Sequence, residues 1–234
     1  MKTAHVKASA LAAALAATLF AGAAQADSLT TDPSSLGLGT GLIFDVTIGG
    51  NAVQRSAGSF NITNNDTGTS FAAFCADIST GISPFALVGL EYDKLAAASF
   101  ITDPTKLQNV QSLYDQRYGT LDLTSKINTA AFQISLWELL DDGNLGTGNV
   151  MWSATADADK SSALAMAGNW LTNLSDPTAT DTYDLNVWSR GTRDPNSQPY
   201  IQASLIPTGN VPEPGTLLLG LAGLAGIGMM RRKA

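Results

Sequence analysis

Cys75 is the one cysteine in 234 residues, and His5 is the one histidine. A single thiol cannot close an internal disulfide or build a thiolate zinc site. Three fates remain for it: a small buried hydrophobe, a link to a second molecule, or a covalent bond to something other than sulfur. His5 lies so near the start that removal of the first 26 residues would take it away. The remainder then holds no Ser-His-Asp triad, no Cys-His pair and no imidazole metal site. Acidic chemistry is equally thin. Glu138 and Asp142 share a helix face at i and i+4, which reads as solvated surface charge, whereas glycoside hydrolysis needs two carboxylates across a cleft. Asp141-Asp142-Gly143-Asn144 with Asn149, and Asn64-Asn65-Asp66, offer oxygen ligands for calcium, but turns favour the same residues and neither follows a calcium-loop spacing. The expectation is a protein with no metal, no cofactor and no catalytic cycle.

Charge narrows the partners. Twenty acidic residues face thirteen basic ones, a formal net charge of −7. Five of the cations, Lys2, Lys7, Arg231, Arg232 and Lys233, sit in the end segments, so the middle of the chain is more acidic still. Nucleic acid is excluded as a partner, because binding a phosphate backbone needs a basic face.

The elements that must position Cys75 follow from patterning. Residues 27 to 92 are rich in Gly, Ser, Thr and Asn. Short β-type runs at 41–48, 58–63, 70–78 and 85–92 are separated by turns such as Gly49-Gly50-Asn51 and Asn64-Asn65-Asp66. Helical spacing then takes over at 93–100, 104–118 and 124–141, with Pro104 suited to a first turn and Thr124 to an N-cap. A Gly/Asn loop over 142–149 is followed by a strand at 150–154, a helix from 157 to about 174, and strands at 183–189 and 200–206. Strands, helices and strands again predict an α+β domain over 27–206, a β-sandwich carrying a helical insert.

The ends have a different character. Residues 1–26 carry Lys2 and Lys7, an Ala/Leu run and the small-x-small close Ala24-Gln25-Ala26, the layout of a signal peptide cut by signal peptidase. At residues 207–234, Val211-Pro212-Glu213-Pro214-Gly215 precedes an apolar run from Thr216 to Met230 and the basic end Arg231-Arg232-Lys233. The run is shorter than a comfortable membrane helix of roughly 20 residues, and the flanking cations would hold its C-terminus inside. This pattern resembles the PEP-CTERM sorting tail. The resemblance implies an exosortase-type membrane enzyme acting near Pro212-Glu213-Pro214, a C-terminal hydrophobic helix as an inner-membrane intermediate, and the cell surface or extracellular matrix as destination.

A second resemblance concerns Cys75. The pair Phe74-Cys75 together with Phe132-Gln133-Ile134-Ser135-Leu136-Trp137 resembles the thioester domains of Gram-positive surface adhesins. In those domains a cysteine sulfur and a glutamine side-chain carbonyl are joined in an internal thioester, on a β-sandwich with a helical insert. The resemblance spans roughly residues 40 to 206 and makes Cys75 the thiol partner, Gln133 the acyl partner and Trp137 the motif's aromatic. The implied chemistry suits the residue types: a thiol that displaces ammonia from a carboxamide leaves an acyl group far more electrophilic than the amide. Gln133 and Trp137 lie four apart on one helix face, so Trp137 is expected to cover the acyl carbon, with Phe74 and Phe132 beside the two reacting groups. A surface amine or a hydroxyl of an exopolysaccharide would discharge the bond once. The alternative is a non-covalent matrix or polysaccharide-binding protein with an inert buried thiol, whose sugar-binding face would draw on Trp152, Trp170, Tyr183, Trp188 and Tyr200.

Overall fold

The computed structural model describes residues 26–31, 41–80, 89–153, 155–174, 181–191 and 193–207. The chain divides after Ser204 into two units; of the second, only residues 205–207 are described. Of the signal peptide expected over 1–26, residues 1–25 lie outside the described residues, as do the sorting residues Val211, Pro212, Glu213 and Pro214, the apolar run and the basic end Arg231, Arg232 and Lys233.

Among the described residues nine strands form two sheets. They are β1 (Asp27–Thr31), β2 (Leu42–Ile48), β3 (Asn51–Ala57), β4 (Phe60–Asn64), β5 (Thr69–Cys75), β6 (Leu90–Ala96), β7 (Val150–Trp152), β8 (Tyr183–Ser189) and β9 (Tyr200–Leu205). Six close into a barrel in the order β1-β4-β5-β9-β8-β6, and three form a sheet in the order β3-β2-β7. Alternation drives each sheet: in β2, Phe44 and Val46 are buried while Ile43 and Asp45 face outward. The β2–β3 hairpin turns at Gly49 and Gly50, both at positive φ (56° and 81°), as a tight two-residue hairpin requires.

Among the described residues four helices lie between β6 and β8: α1 (Ala97–Phe100), α2 (Pro104–Arg117), α3 (Lys126–Leu140) and α4 (Ala158–Thr172), with a short 3₁₀ turn (Tyr118–Thr120) after α2. Asp103 caps α2 by accepting from the Thr105 and Lys106 N–H groups, and Pro104 occupies the first turn. Asp157 caps α4 in the same way. Helix α3 is buried all round from Thr129 to Leu139, the signature of a central helix rather than a surface one. One side of it, Ala130, Ile134 and Trp137, shares a core with Cys75, Phe60, Tyr92 and Tyr200. The other, Phe132, Leu136 and Leu139, shares a second core with Phe74, Val110 and Tyr114.

The mixed α+β class and the helices between strands follow the expectation, but the sheet arrangement differs: the larger sheet closes on itself as a barrel instead of packing as one layer of a sandwich. The segment 93–100 is strand to Ala96 and helix for only one turn, since Asp93 to Ala96 pair with Ser189 to Asn186 of β8. The N-cap of α3 is Ser125, whose Oγ accepts from Asn128 N–H; Thr124 instead donates its hydroxyl to Asp122 Oδ1 in the preceding turn. Of the strand expected at 85–92, residues 85–88 lie outside the described residues, and β6 begins at Leu90. Strands β1 and β3 had no counterpart in the sequence reading.

Candidate functional site

Cys75 is the last residue of β5, and its position there leaves two main-chain groups to be satisfied. Successive residues of a strand present their N–H and C=O to opposite neighbours. Ala76 N–H donates to Pro199 O on the β9 side, so the Cys75 groups face the β4 side. There, β4 begins only at Phe60, opposite Ala73, and offers nothing two residues further on. The Gln133 carboxamide takes the vacant place. Cys75 N–H donates to Gln133 Oε1 at 2.8 Å, and Gln133 Nε2 donates to Cys75 O at 2.9 Å. Both residues are buried, Gln133 completely and Cys75 to 2 % exposure. The carboxamide carbon is therefore one bond from each of two atoms fastened to the Cys75 backbone.

The thiol's surroundings keep it protonated. Burial first, and then the charge of Asp77, push the Cys75 thiol well above its ordinary value. Tyr200, paired opposite Cys75 across β5 and β9, also titrates far above its ordinary range, through burial and then proximity to Cys75 and Tyr92.

The three expected shielding aromatics separate. Trp137 lies in the core that holds Cys75 and stacks on Trp152, with ring centroids 6.2 Å apart and planes at 17°. Phe74 and Phe132 lie in the other core, packed on each other at 4.5 Å, because strand alternation turns Phe74 away from its neighbour Cys75. Trp152 Nε1 donates to Glu138 Oε1 at 2.5 Å. Glu138 is completely buried, its Oε2 lacks a hydrogen-bond partner, and burial raises its carboxyl to about 8, with Asp142 and Asp141 adding to the rise against the Trp152 bond. The reading of Glu138 as solvated charge is thus corrected: an i, i+4 acidic pair cannot reveal which face of the helix is covered.

A cleft of about 300 Å³ is lined by Ala76, the residue after Cys75, and by Trp137, one helical turn beyond Gln133, with Asp77, Ile78, Phe100 and Asp141 among others. The chain that follows Cys75 is tied down along this wall. Gln198 Nε2 donates to Asp77 O at 2.8 Å, Arg55 Nε to Ile78 O at 2.7 Å and Arg55 Nη2 to Ser79 O at 3.1 Å. Sequence reasoning passed over Asp77, Arg55 and Gln198, whose roles depend on contacts across the fold; only the proximity of Asp77 to Cys75 was available as a signal.

The weaker candidates fare differently. Asp141 Oδ2 accepts from Val150 N–H, and Asp142 accepts from Asn144 N–H and Thr147 Oγ1, so these oxygens shape the loop. Asn64 and Asn65 bond to Asp27, Ser28 and Thr30. Among the described residues no group of three or more His, Cys, Asp or Glu is placed to hold a metal. Of the aromatics considered for a sugar-binding face, Tyr183, Trp188 and Tyr200 are buried, and Trp152 and Trp170 are half-buried against the cores.

Residues 210–233 match the family profile described as the PEP-CTERM protein-sorting motif. No functionally curated protein is significantly similar to the chain in sequence. Among solved structures, the chain is similar to the N-terminal domain of the Streptococcus pyogenes pilus tip adhesin Cpa, at 16 % identity and TM-score 0.44 over 64 % of this chain and 85 % of that one. It is similar to the N-terminal thioester domain of a Clostridium perfringens surface protein, at 15 % identity and TM-score 0.45 over 63 % and 89 %. A third likeness is to the thioester domain of the Staphylococcus aureus TIE protein, at 11 % identity and TM-score 0.44 over 75 % and 92 %. Among the described residues no helix is long and apolar enough to cross a membrane.

Proposed function

We propose that the chain is an exported cell-surface or matrix protein whose Cys75 and Gln133 form an internal thioester, discharged once onto a nucleophile of a partner. The observation that carries this reading is the two-point pairing of the Gln133 carboxamide with the Cys75 backbone. In a strand the side chain stands perpendicular to the plane of its own N–H and C=O groups. The thiol therefore approaches a carboxamide held in that plane from its face, the direction in which a nucleophile adds to a carbonyl. Sulfur bonds to the Gln133 side-chain carbonyl carbon, the Cys75 N–H steadies the oxygen as charge develops, and the carbon–nitrogen bond breaks. The thiol proton leaves with the nitrogen as ammonia. The burial that suppresses a free thiolate also keeps water from the stored bond.

Discharge reverses the roles. A partner amine or hydroxyl adds to the acyl carbon from the cleft bordered by Trp137, an amide or ester forms, and Cys75 departs as the thiol with the nucleophile's proton. One bond is made per molecule, which is coupling and not turnover. The tail match supports export, association of the tail with the membrane and processing by an exosortase-type enzyme. Surface exposure or matrix deposition follows from that route.

Methylamine tests the reading. The expected outcome is N-methylation of the Gln133 side chain, found by peptide mapping, together with one new free thiol, and neither in Cys75→Ala. A second reading has its own observation: the same pairing satisfies the open end of β5, so Gln133 serves as a ladder-closing side chain beside an inert thiol. Under it, methylamine leaves Gln133 unchanged and the thiol is free from the start.

A further inference from the structure

The cleft that begins at Ala76 is one of two that meet at the same residues. A second, of about 250 Å³, is lined by Ser189, Asp194, Ser197 and Pro199 and shares Asp77 and Phe100 with the first. Asp77 thus stands at the junction of the two openings, two residues along the chain from the thiol. Its carboxylate is held in place: Oδ1 accepts from Ser79 N–H at 2.7 Å and Ser79 Oγ at 2.6 Å, and Oδ2 from Thr80 Oγ1 at 2.5 Å. Its main chain is held by Gln198. Partial burial favours the neutral acid, but these hydrogen bonds outweigh it and keep the carboxyl below its ordinary value, which favours the charged form.

The charge reaches the reacting sulfur, since Asp77 is one cause of the raised Cys75 thiol. Asp141 is the other charged residue lining the first cleft, and two cations lie behind its walls: Arg55 on the carbonyls of Ile78 and Ser79, and Lys106 on the carbonyl of Leu140. Trp137, which borders the same cleft, is 3 % exposed, and its buried indole N–H has no hydrogen-bond partner.

We propose that Asp77 is a specificity-determining residue, a fixed anion that draws cationic amines to the acyl carbon and turns hydroxide and other anions away from it. This rests on the thioester reading and refines it: the charge decides which nucleophile arrives and lengthens the life of the stored bond. An ammonium held near Asp77 gives its proton to buffer and adds as the free amine, and the amine's second proton passes to the departing sulfur. Hydrolysis would instead release the thiol and leave a free carboxylate on the side chain at position 133, and its attacking hydroxide has to approach against the Asp77 charge. A basic polypeptide is then the favoured partner over a neutral polysaccharide.

The test uses the mature protein and three reagents at one pH near 8: methylamine, which is a cation there, hydroxylamine, which is neutral, and water alone. In Asp77→Asn, which keeps the shape and the Oδ1 acceptor, methylamine coupling is expected to slow about fivefold and hydrolysis to quicken by about the same factor. Hydroxylamine coupling stays within about twofold of the parent. A purely structural role would move all three rates together, and that result overturns the proposal. The unaltered protein gives an independent reading. Raising the salt from about 0.02 M to about 0.5 M is expected to slow methylamine and leave hydroxylamine unchanged, and methylamine coupling indifferent to salt contradicts the proposal. A parent protein of full, unreduced mass removes the thioester reading itself; a thioester-bearing protein with salt-independent rates removes the Asp77 role alone.

Discussion

Gln133 shows how much a single side chain can be asked to do. It is a completely buried amide on a central helix, and its oxygen and nitrogen complete the end of a strand far away in sequence. Replacing it with glutamate removes the donor to Cys75 O and sets a carboxylate oxygen against it. Gln133→Glu is expected to lower stability by about 1 to 3 kcal/mol and to abolish the methylamine adduct, read from denaturant midpoints and mass. Glu138 makes a prediction of another kind. Its carboxyl titrates at about 8 in the fold against an ordinary 4.5, so the folded state holds the proton more tightly. Its contribution is fully present below pH 4.5, is lost as pH rises towards 8 and changes no further above that. Glu138→Gln keeps an acceptor for Trp152 and is expected to flatten that fall, as thermal unfolding across the same pH range would record. The motif pointed to Cys75 and Gln133 together, and the structure brings them into hydrogen-bond contact, with Trp137 in the core that holds Cys75. Glu138 was not, because spacing places a residue on a helix face without saying what covers that face.

Elements bring these residues together, and their fastenings are where sequence reading is weakest. The loop between α3 and β7 walls the cleft through Asp141 and Asn149. It folds tightly at Gly148, where φ is +79° and a Cβ would collide with the Asp141 and Asp142 carboxylates. Gly148→Ala is expected to cost more than about 1 kcal/mol and to loosen that wall, measurable as a lower melting temperature. Arg55 belongs to the three-stranded sheet yet bonds the carbonyls of Ile78 and Ser79 beyond Cys75. A lysine there keeps the charge but not the fork, so Arg55→Lys is expected to speed hydrogen exchange in residues 76–79. Neither fastening has a local signature. Strands β1 and β3 were also invisible: DSLTT and NAVQRSA are too polar to signal burial, and they form because neighbouring strands supply the ladder. The helices were easier, since caps and periodicity are local, and the error at Thr124 against Ser125 is a shift of one residue.

At the scale of the molecule, the strand-rich class and the helical insertion were readable while barrel closure was not. Closure depends on β1 pairing with both β4 and β6, partners far apart in sequence. The C-terminal end carries information of a different sort, a sorting motif over residues 210–233. Changing Pro212, Glu213 and Pro214 together to alanine is expected to leave the protein unprocessed in the membrane fraction, whereas the unaltered protein is released or displayed; the two separate by fractionation and intact mass. In the proposed function, what the tail delivers depends on one covalent bond. The most direct measurement is the intact mass of the mature domain, denatured without any added nucleophile, alongside titration of its single thiol. A mass one ammonia below that of the sequence, with no titratable thiol, is the predicted result. The full sequence mass with one freely titrating thiol would contradict it.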